Sequence, residues 1–198
     1  AMPLEVLLIR HGQSEWNASG RWQGQQDPPL TDTGRNDARR AAAGLGTFDA
    51  VMSSPLLRAA ETAAAVAEGI GVGPVLTDDR WMERSAGSWE GLTRPEIEAG
   101  WPGYLADGKR PDNWEDDDLL MARAQGALTD LWAEMADAQV AIVTHSGLIM
   151  AVERHLGQHS GRMPNLGGRW LRGAGPDRWQ LGPRVQLIDA ATSSGVLE

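Results

Sequence analysis

Leu4-Glu5-Val6-Leu7-Leu8-Ile9-Arg10-His11-Gly12 is the stretch on which the fold turns. From Leu4 to Ile9 the residues are apolar but for Glu5, and Val6 and Ile9 are β-branched. Such a run, without strict polar alternation, reads as a strand buried on both faces, which is the habit of strands in parallel sheets. Arg10 and His11 follow at once, so two chemically active side chains stand at the carboxyl end of that strand.

Working outward, a polar loop follows as far as Pro29. Thr31 is a helix N-cap, and the pattern predicts a helix from Thr31 to Leu45. Phe48 to Met52 reads as a second strand, stopped by Ser53-Ser54-Pro55. Pro55 suits the first turn of a helix that runs to about Gly69. Pro74 to Thr77 is a brief strand, and Asp79 to Leu92 a loop rich in Gly and Trp. A short helix is expected over Arg94–Gly100, an irregular polar segment over Gly103–Asp118, and a long amphipathic helix over Leu119–Ala138. Gln139 to Val143 is another buried strand, followed by Thr144-His145-Ser146-Gly147 and a helix to about Leu156. Arg169–Leu171 and Trp179–Ile188 form a terminal hairpin around Gly173–Asp177. Strands alternating with helices, without repeat or linker, predict one α/β domain over residues 1–198. The expected architecture is a three-layer α/β/α sandwich around a central, mostly parallel sheet, with residues 79–118 as a cap over the pocket.

Composition narrows the chemistry. The chain has 198 residues and no cysteine, which excludes disulfides, Cys-based zinc sites and cysteine nucleophiles. Lys109 is the sole lysine beside 17 arginines, and Arg110 follows it, so a Walker-type phosphate loop is ruled out. The formal net charge of −9 makes nucleic acid and anionic membranes poor partners. No run approaches the roughly 18 apolar residues of a membrane span, and Leu4–Ile9 is too short for a signal-peptide core. A cytoplasmic protein is expected. Any anion site in so acidic a chain must be built by particular arginines, whose local field outweighs a distant negative surface.

Three buried strands end in such residues: the first in Arg10-His11-Gly12, the second in Ser53-Ser54 with Arg58 one turn into the next helix, the third in Thr144-His145-Ser146-Gly147. In an open α/β sheet, ligands bind beyond the carboxyl ends of the strands. Two of the following helices also aim their N-termini there, which suits a phosphate. Each residue alone has a plain structural explanation, as a solvated arginine or a packed histidine. Their convergence past three separate strands argues for a site.

Leu8-Ile-Arg-His-Gly-Gln-Ser-Glu-Trp-Asn17 resembles the signature of the histidine phosphatase superfamily, also called phosphoglycerate mutase-like. The resemblance continues in Gly20–Gly24, Asp27–Thr31, Gly34, Ser53–Thr62, Glu83 with Gly87–Gly91, and Val143–Gly147, in family order. It implies a metal-independent phosphomonoester hydrolase with no cofactor, acting on a small phosphorylated metabolite through a phosphohistidine. His11 matches the nucleophile. Arg10, Arg58 and His145 match the charged pocket around the phosphoryl group, and Glu83 matches the proton donor. Asn17 matches a residue that bonds a phosphate oxygen or holds the His11 loop. Gln23 and Gly24 lie where family members approach the substrate, and Ser146 and Gly147 offer backbone donors. The chemistry is coherent. Phosphoryl transfer needs in-line positioning and charge stabilisation, arginine grips phosphate oxygens bidentately, and neighbouring cations favour the neutral, nucleophilic imidazole. A bound phosphate beside Glu83 favours its protonated form, ready for the leaving oxygen.

Other acids and histidines have structural readings. Glu90 belongs to a Trp-Glu-Gly turn, Glu61 pairs with an arginine, and Asp116–Asp118 is the acidic N-terminus of a helix. His155 and His159 have i,i+4 spacing, but Gly157 interrupts them and no Glu follows His155, against a zinc site. The main alternative is a phosphoglycerate mutase that depends on a bisphosphate primer. Mutases of this family carry a longer segment rich in proline and tyrosine after the Glu motif, whereas here Pro102–Asp118 is short and Tyr104 is the only tyrosine. A non-catalytic phosphate-binding relative is disfavoured, since the nucleophile and both arginines are present. The resemblance allows a homodimer, but no residue of this chain fixes one.

Overall fold

A computed structural model describes residues 3–188. Strand β1 (Leu4–Arg10) lies at the centre, as its apolar run demands, and is followed by a five-residue helix α1 (Glu15–Ser19) in the stretch read as loop. Then come α2 (Asp32–Ala43), β2 (Ala50–Ser53), α3 (Leu57–Ile70), β3 (Leu76–Thr77), α4 (Arg94–Gly100), α5 (Asp117–Glu134), β4 (Gln139–Thr144), α6 (Ser146–His155) and the hairpin β5 (Gly167–Gly175) and β6 (Arg178–Gln186). Pro55 stands before α3 rather than in its first turn, because Leu56 is the extended N-cap. Helix α5 begins two residues earlier than expected: Asp116 caps it, its side chain accepting from the amide of Leu119.

The six strands form one sheet in the order β3-β2-β4-β1-β5-β6. The pairings among β3, β2, β4 and β1 are parallel, and those from β1 through β5 to β6 antiparallel. Three of the five pairings are thus parallel, as expected of a mostly parallel sheet, and the antiparallel hairpin closes one side.

Alternation along the two central strands builds the two faces. Leu4, Val6 and Leu8 of β1 join Val140 and Ile142 of β4 in one core with α5 and α6. Leu7 and Ile9 join Ala141 and Val143 in the other, with α2 and α3. This is the three-layer α/β/α sandwich. A third, smaller cluster forms apart from the sheet, where Trp22, Ala86, Trp89 and Ile97 pack with Trp101, Tyr104 and Trp114. The segment read as a cap therefore carries its own apolar core, independent of the two that bury the sheet.

Candidate active site

Register decides which residues meet. In the parallel β1–β4 pair, Arg10 lies opposite Thr144, so the residues that leave the two strands, His11 and His145, come out side by side. Their ring centroids are 5.2 Å apart. Pairing of Ser53 with Val143 brings Ser54 alongside, and its Oγ lies 2.9 Å from His145 Nε2. Three chain segments widely separated in sequence thus share one point beyond the strand ends.

His11 is held in one orientation. Its Nδ1 lies 2.6 Å from the carbonyl oxygen of Gly12, which can only accept, so Nδ1 carries a proton, and in the neutral ring the lone pair is on Nε2. The Gly12 amide donates to Thr62 Oγ1 at 3.1 Å, and Thr62 donates in turn to the carbonyl of Arg58 at 2.7 Å. The turn carrying His11 is thereby bound to the helix carrying Arg58. His11 is fully enclosed, not standing on an open rim as its strand-end position suggests.

Both arginines are enclosed too, held by backbone carbonyls. Arg10 Nη1 donates to Met163 O at 2.9 Å. Arg58 Nη1 and Nη2 donate to Gln26 O and Gly24 O, at 2.8 and 2.7 Å. Gln23 is buried, and its Oε1 accepts a short hydrogen bond from Ser14 Oγ. Gln23 and Gly24 therefore brace the Ser14 turn and Arg58. Asn17 Oδ1 accepts from Ser14 N, closing a capping box at the start of α1, and from Asn165 Nδ2 at 3.4 Å. These hydrogen bonds tie Asn17 to the Ser14 turn that follows His11.

Glu83 arrives from the loop after β3. The Arg84 amide donates to its Oε1 at 2.7 Å, and the Gly147 amide donates to its Oε2 at 2.9 Å. Thr144 Oγ1 donates to Trp81 O at 2.6 Å, tying the loop to the end of β4. The approach is so close that a β-carbon on Gly147 would lie 2.3 Å from Glu83 Oε1. Glu83 is fully buried, whereas Glu90 and Glu61 are only partly so; Glu90 accepts from the amides of Gln25 and Ala86, and Glu61 from that of Leu30. Among the described residues, no three His, Asp or Glu side chains are grouped to hold a metal ion.

Several organisers carry no mark in the sequence. Arg123 of α5 donates to the carbonyls of Arg80, Met82 and Glu83, at 2.8, 2.6 and 2.9 Å, and pairs with Glu115. Burial pushes the Glu115 carboxyl up, but its hydrogen bonds to Arg123 prevail and hold it below the ordinary range. Asn165 Nδ2 donates to His11 O at 3.1 Å, and the amide of Leu166 to Arg10 O at 3.0 Å. A cavity of about 410 Å³ opens against Ser146 and Gly147, walled by Trp22 and Trp114.

Residues 6–168 match the histidine phosphatase superfamily (branch 1). The chain belongs to that family. It is 35% identical over 192 residues to a glucosyl-3-phosphoglycerate phosphatase of Mycolicibacterium vanbaalenii, covering 87% of this chain and 85% of that protein. A metal-independent phosphoserine phosphatase of Arabidopsis thaliana is 32% identical over 79% of this chain and 70% of its own length. Among solved structures, a mycobacterial glucosyl-3-phosphoglycerate phosphatase in complex with VO3 superposes with a TM-score of 0.81 at 32% identity, over 90% of this chain and 96% of its own. As expected from its motifs, the chain is a histidine phosphatase superfamily member with the α/β architecture of its relatives.

Proposed function

We propose that this chain hydrolyses small phosphomonoesters through a covalent phosphohistidine on His11, without a metal. The observation that carries the reading is the His11–His145 pair, with His11 Nδ1 held by Gly12 O, an orientation that in the neutral ring puts the lone pair on Nε2. In the first step Nε2 attacks phosphorus, an N–P bond forms and the bond from phosphorus to the leaving oxygen breaks. Glu83 gives that oxygen its proton. Arg10, Arg58 and His145 offset the charge on the phosphoryl oxygens, where fixed donors act without reorganisation. In the second step water attacks phosphorus, the N–P bond breaks, Glu83 takes the water proton and inorganic phosphate leaves. Two lower barriers replace one.

The names of the relatives support hydrolysis over mutase chemistry, since two of them are phosphatases over most of this chain. Residues 79–118 act as a cap that sets substrate choice, as their separate aromatic core and their contribution of Arg84, Arg110 and Trp114 to the cavity suggest. A cytoplasmic setting follows from the substrate class, small phosphorylated metabolites of the cell interior. No helix among the described residues is long and apolar enough to cross a membrane.

p-Nitrophenyl phosphate hydrolysis in EDTA tests the reading, with wild type beside His11→Ala. Wild type is expected to turn over without metal, and loss of the nucleophile lowers kcat by on the order of 10⁴-fold or more. A burst of nitrophenol with an acid-labile phosphoprotein marks the intermediate. His11→Ala turnover at the wild-type rate refutes the mechanism.

A further inference from the structure

Residues 160–166, between α6 and β5, form neither helix nor strand, yet they support the reaction centre at several points. The Met163 carbonyl accepts from Arg10 Nη1 at 2.9 Å, and the Met163 amide donates to Ser146 Oγ at 3.2 Å. Asn165 Nδ2 donates to the carbonyl of His11 at 3.1 Å, and the Leu166 amide to that of Arg10 at 3.0 Å. One short segment thus holds Arg10 by its side chain and His11 by its backbone. Without a hydrogen-bond ladder of its own, such a segment keeps its shape only where other groups fix it.

A buried charge cluster does so. Arg169 of β5 and Arg184 of β6 are direct cross-strand partners, a placing in which like charges repel. Glu153 of α6, 1% exposed, is clasped by both. Arg169 Nε donates to its Oε2 at 2.6 Å, and Arg184 donates to Oε2 through Nε at 2.8 Å and to Oε1 through Nη2 at 2.6 Å. Both arginines aim further donors at the segment. Arg184 Nη1 reaches Arg162 O at 3.1 Å, its Nη2 reaches Gly161 O at 2.6 Å, and Arg169 Nη2 reaches Ser160 Oγ at 2.7 Å. Side chains of α6, β5 and β6 therefore converge on three consecutive residues just before Met163. A buried ion cluster adds little net stability, because desolvation offsets the attraction. What this one supplies is a fixed geometry for the segment it grips.

We propose that Glu153 is a positioning residue for phosphoryl transfer: by fixing the Arg169 and Arg184 guanidinium groups it sets residues 160–166, and through Met163 O it sets the reach of Arg10 toward the phosphoryl oxygens. The proposal rests on the phosphatase reading. Glu153 acts only through other residues, and it acts on the phosphoryl pocket rather than on the proton donor. Its loss therefore has a different signature from a disturbance of Glu83, since it weakens the grip on phosphorus whatever the leaving group.

Arg184→Lys tests this first, because lysine keeps a charge for Glu153 and loses the planar fork that reaches two carbonyls at once. A misplacement of about 1 Å costs on the order of 10²-fold in rate. In protein shown by urea unfolding to be folded, kcat/KM on p-nitrophenyl phosphate is expected to fall about 10- to 100-fold. An alkyl phosphate loses the same factor, and orthovanadate, which imitates five-coordinate phosphorus, inhibits more weakly by a similar one. Glu153→Gln is expected to behave alike; where it does not fold, Arg184→Lys decides alone. A cycle with Arg10→Gln supplies a readout that mere destabilisation would not move: the double variant is no slower than Arg10→Gln, whereas independent effects multiply. Unchanged turnover and vanadate inhibition in folded Arg184→Lys, a loss confined to poor leaving groups, or multiplying losses in the cycle overturns the proposal. A wild type without turnover refutes the phosphatase reading instead. Calorimetry of orthovanadate binding then decides, with weaker binding after Arg184→Lys in support, and unaltered binding, or none to wild type, against.

Discussion

Gly147 shows how a single backbone position serves the chemistry twice. Its amide donates to Glu83 Oε2, and its missing side chain leaves the space that Glu83 occupies. Gly147→Ala therefore separates stability from activity. Alanine is favoured over glycine within a helix by roughly 1 kcal/mol, and position 147 is the second residue of α6. The added carbon nevertheless forces the Glu83 carboxylate aside. Turnover of an alkyl phosphate, which needs a protonated leaving oxygen, is expected to fall by about 10²-fold. p-Nitrophenyl phosphate, whose leaving group needs no acid, loses much less. Equal losses on the two substrates would assign the proton donor elsewhere.

Helix α5 exerts the same control from further away. Arg123 donates to three carbonyls of the Glu83 loop, those of Arg80, Met82 and Glu83, so the helix holds the acid's own backbone. Arg123→Met keeps the length and loses the donors. It is expected to lower stability by about 1–3 kcal/mol, the cost of leaving buried acceptors unsatisfied, as read by urea unfolding. A role for Arg123 in positioning Glu83 requires in addition a greater loss on poor leaving groups than on good ones, which simple destabilisation would not produce. This residue also marks the boundary of what the sequence discloses. The tails of β1 and β4 were legible because buried strands are apolar runs and the residues after them break the run abruptly. Arg123 was not, since an arginine in an amphipathic helix looks the same whether it faces solvent or a loop 40 positions upstream. Asn165, which holds the His11 carbonyl, lies in an aperiodic segment between Pro164 and Gly167. Helix α1 is five residues long, too short to display a helical period, although its capping residue Ser14 and the reciprocating Asn17 were both inside the quoted motif.

Across the molecule as a whole, acidic groups outnumber basic ones, yet several carboxylates at the capping segment are clasped by arginine. Asp78 is held by Arg80, Glu115 by Arg123, and Asp117 by Arg84 and Arg154, so the capping segment is joined by charge to α5, α6 and the Glu83 loop. The Arg80 side chain lowers Asp78. Burial raises Asp117, but its hydrogen bonds to Arg154 and Arg84 outweigh that and leave it below the ordinary range, as with Glu115. A carboxyl whose folded-state value lies below its unfolded value contributes stability that is complete above the unfolded value, near pH 4, and is lost as pH falls through the folded one. The chain is therefore expected to lose stability steeply below about pH 4, with the cap among the first parts to loosen. Asp117→Asn tests the sign. The variant should be less stable than wild type near neutrality, and the gap should narrow as the pH of a urea titration is lowered from 7 to 3, because protonation removes from the wild type what the substitution has already removed. A gap that stays constant across that window would mean that Asp117 acts through packing and not through its charge. The same bridge borders the cavity, so loosening it with acid should lower turnover before the sheet itself unfolds.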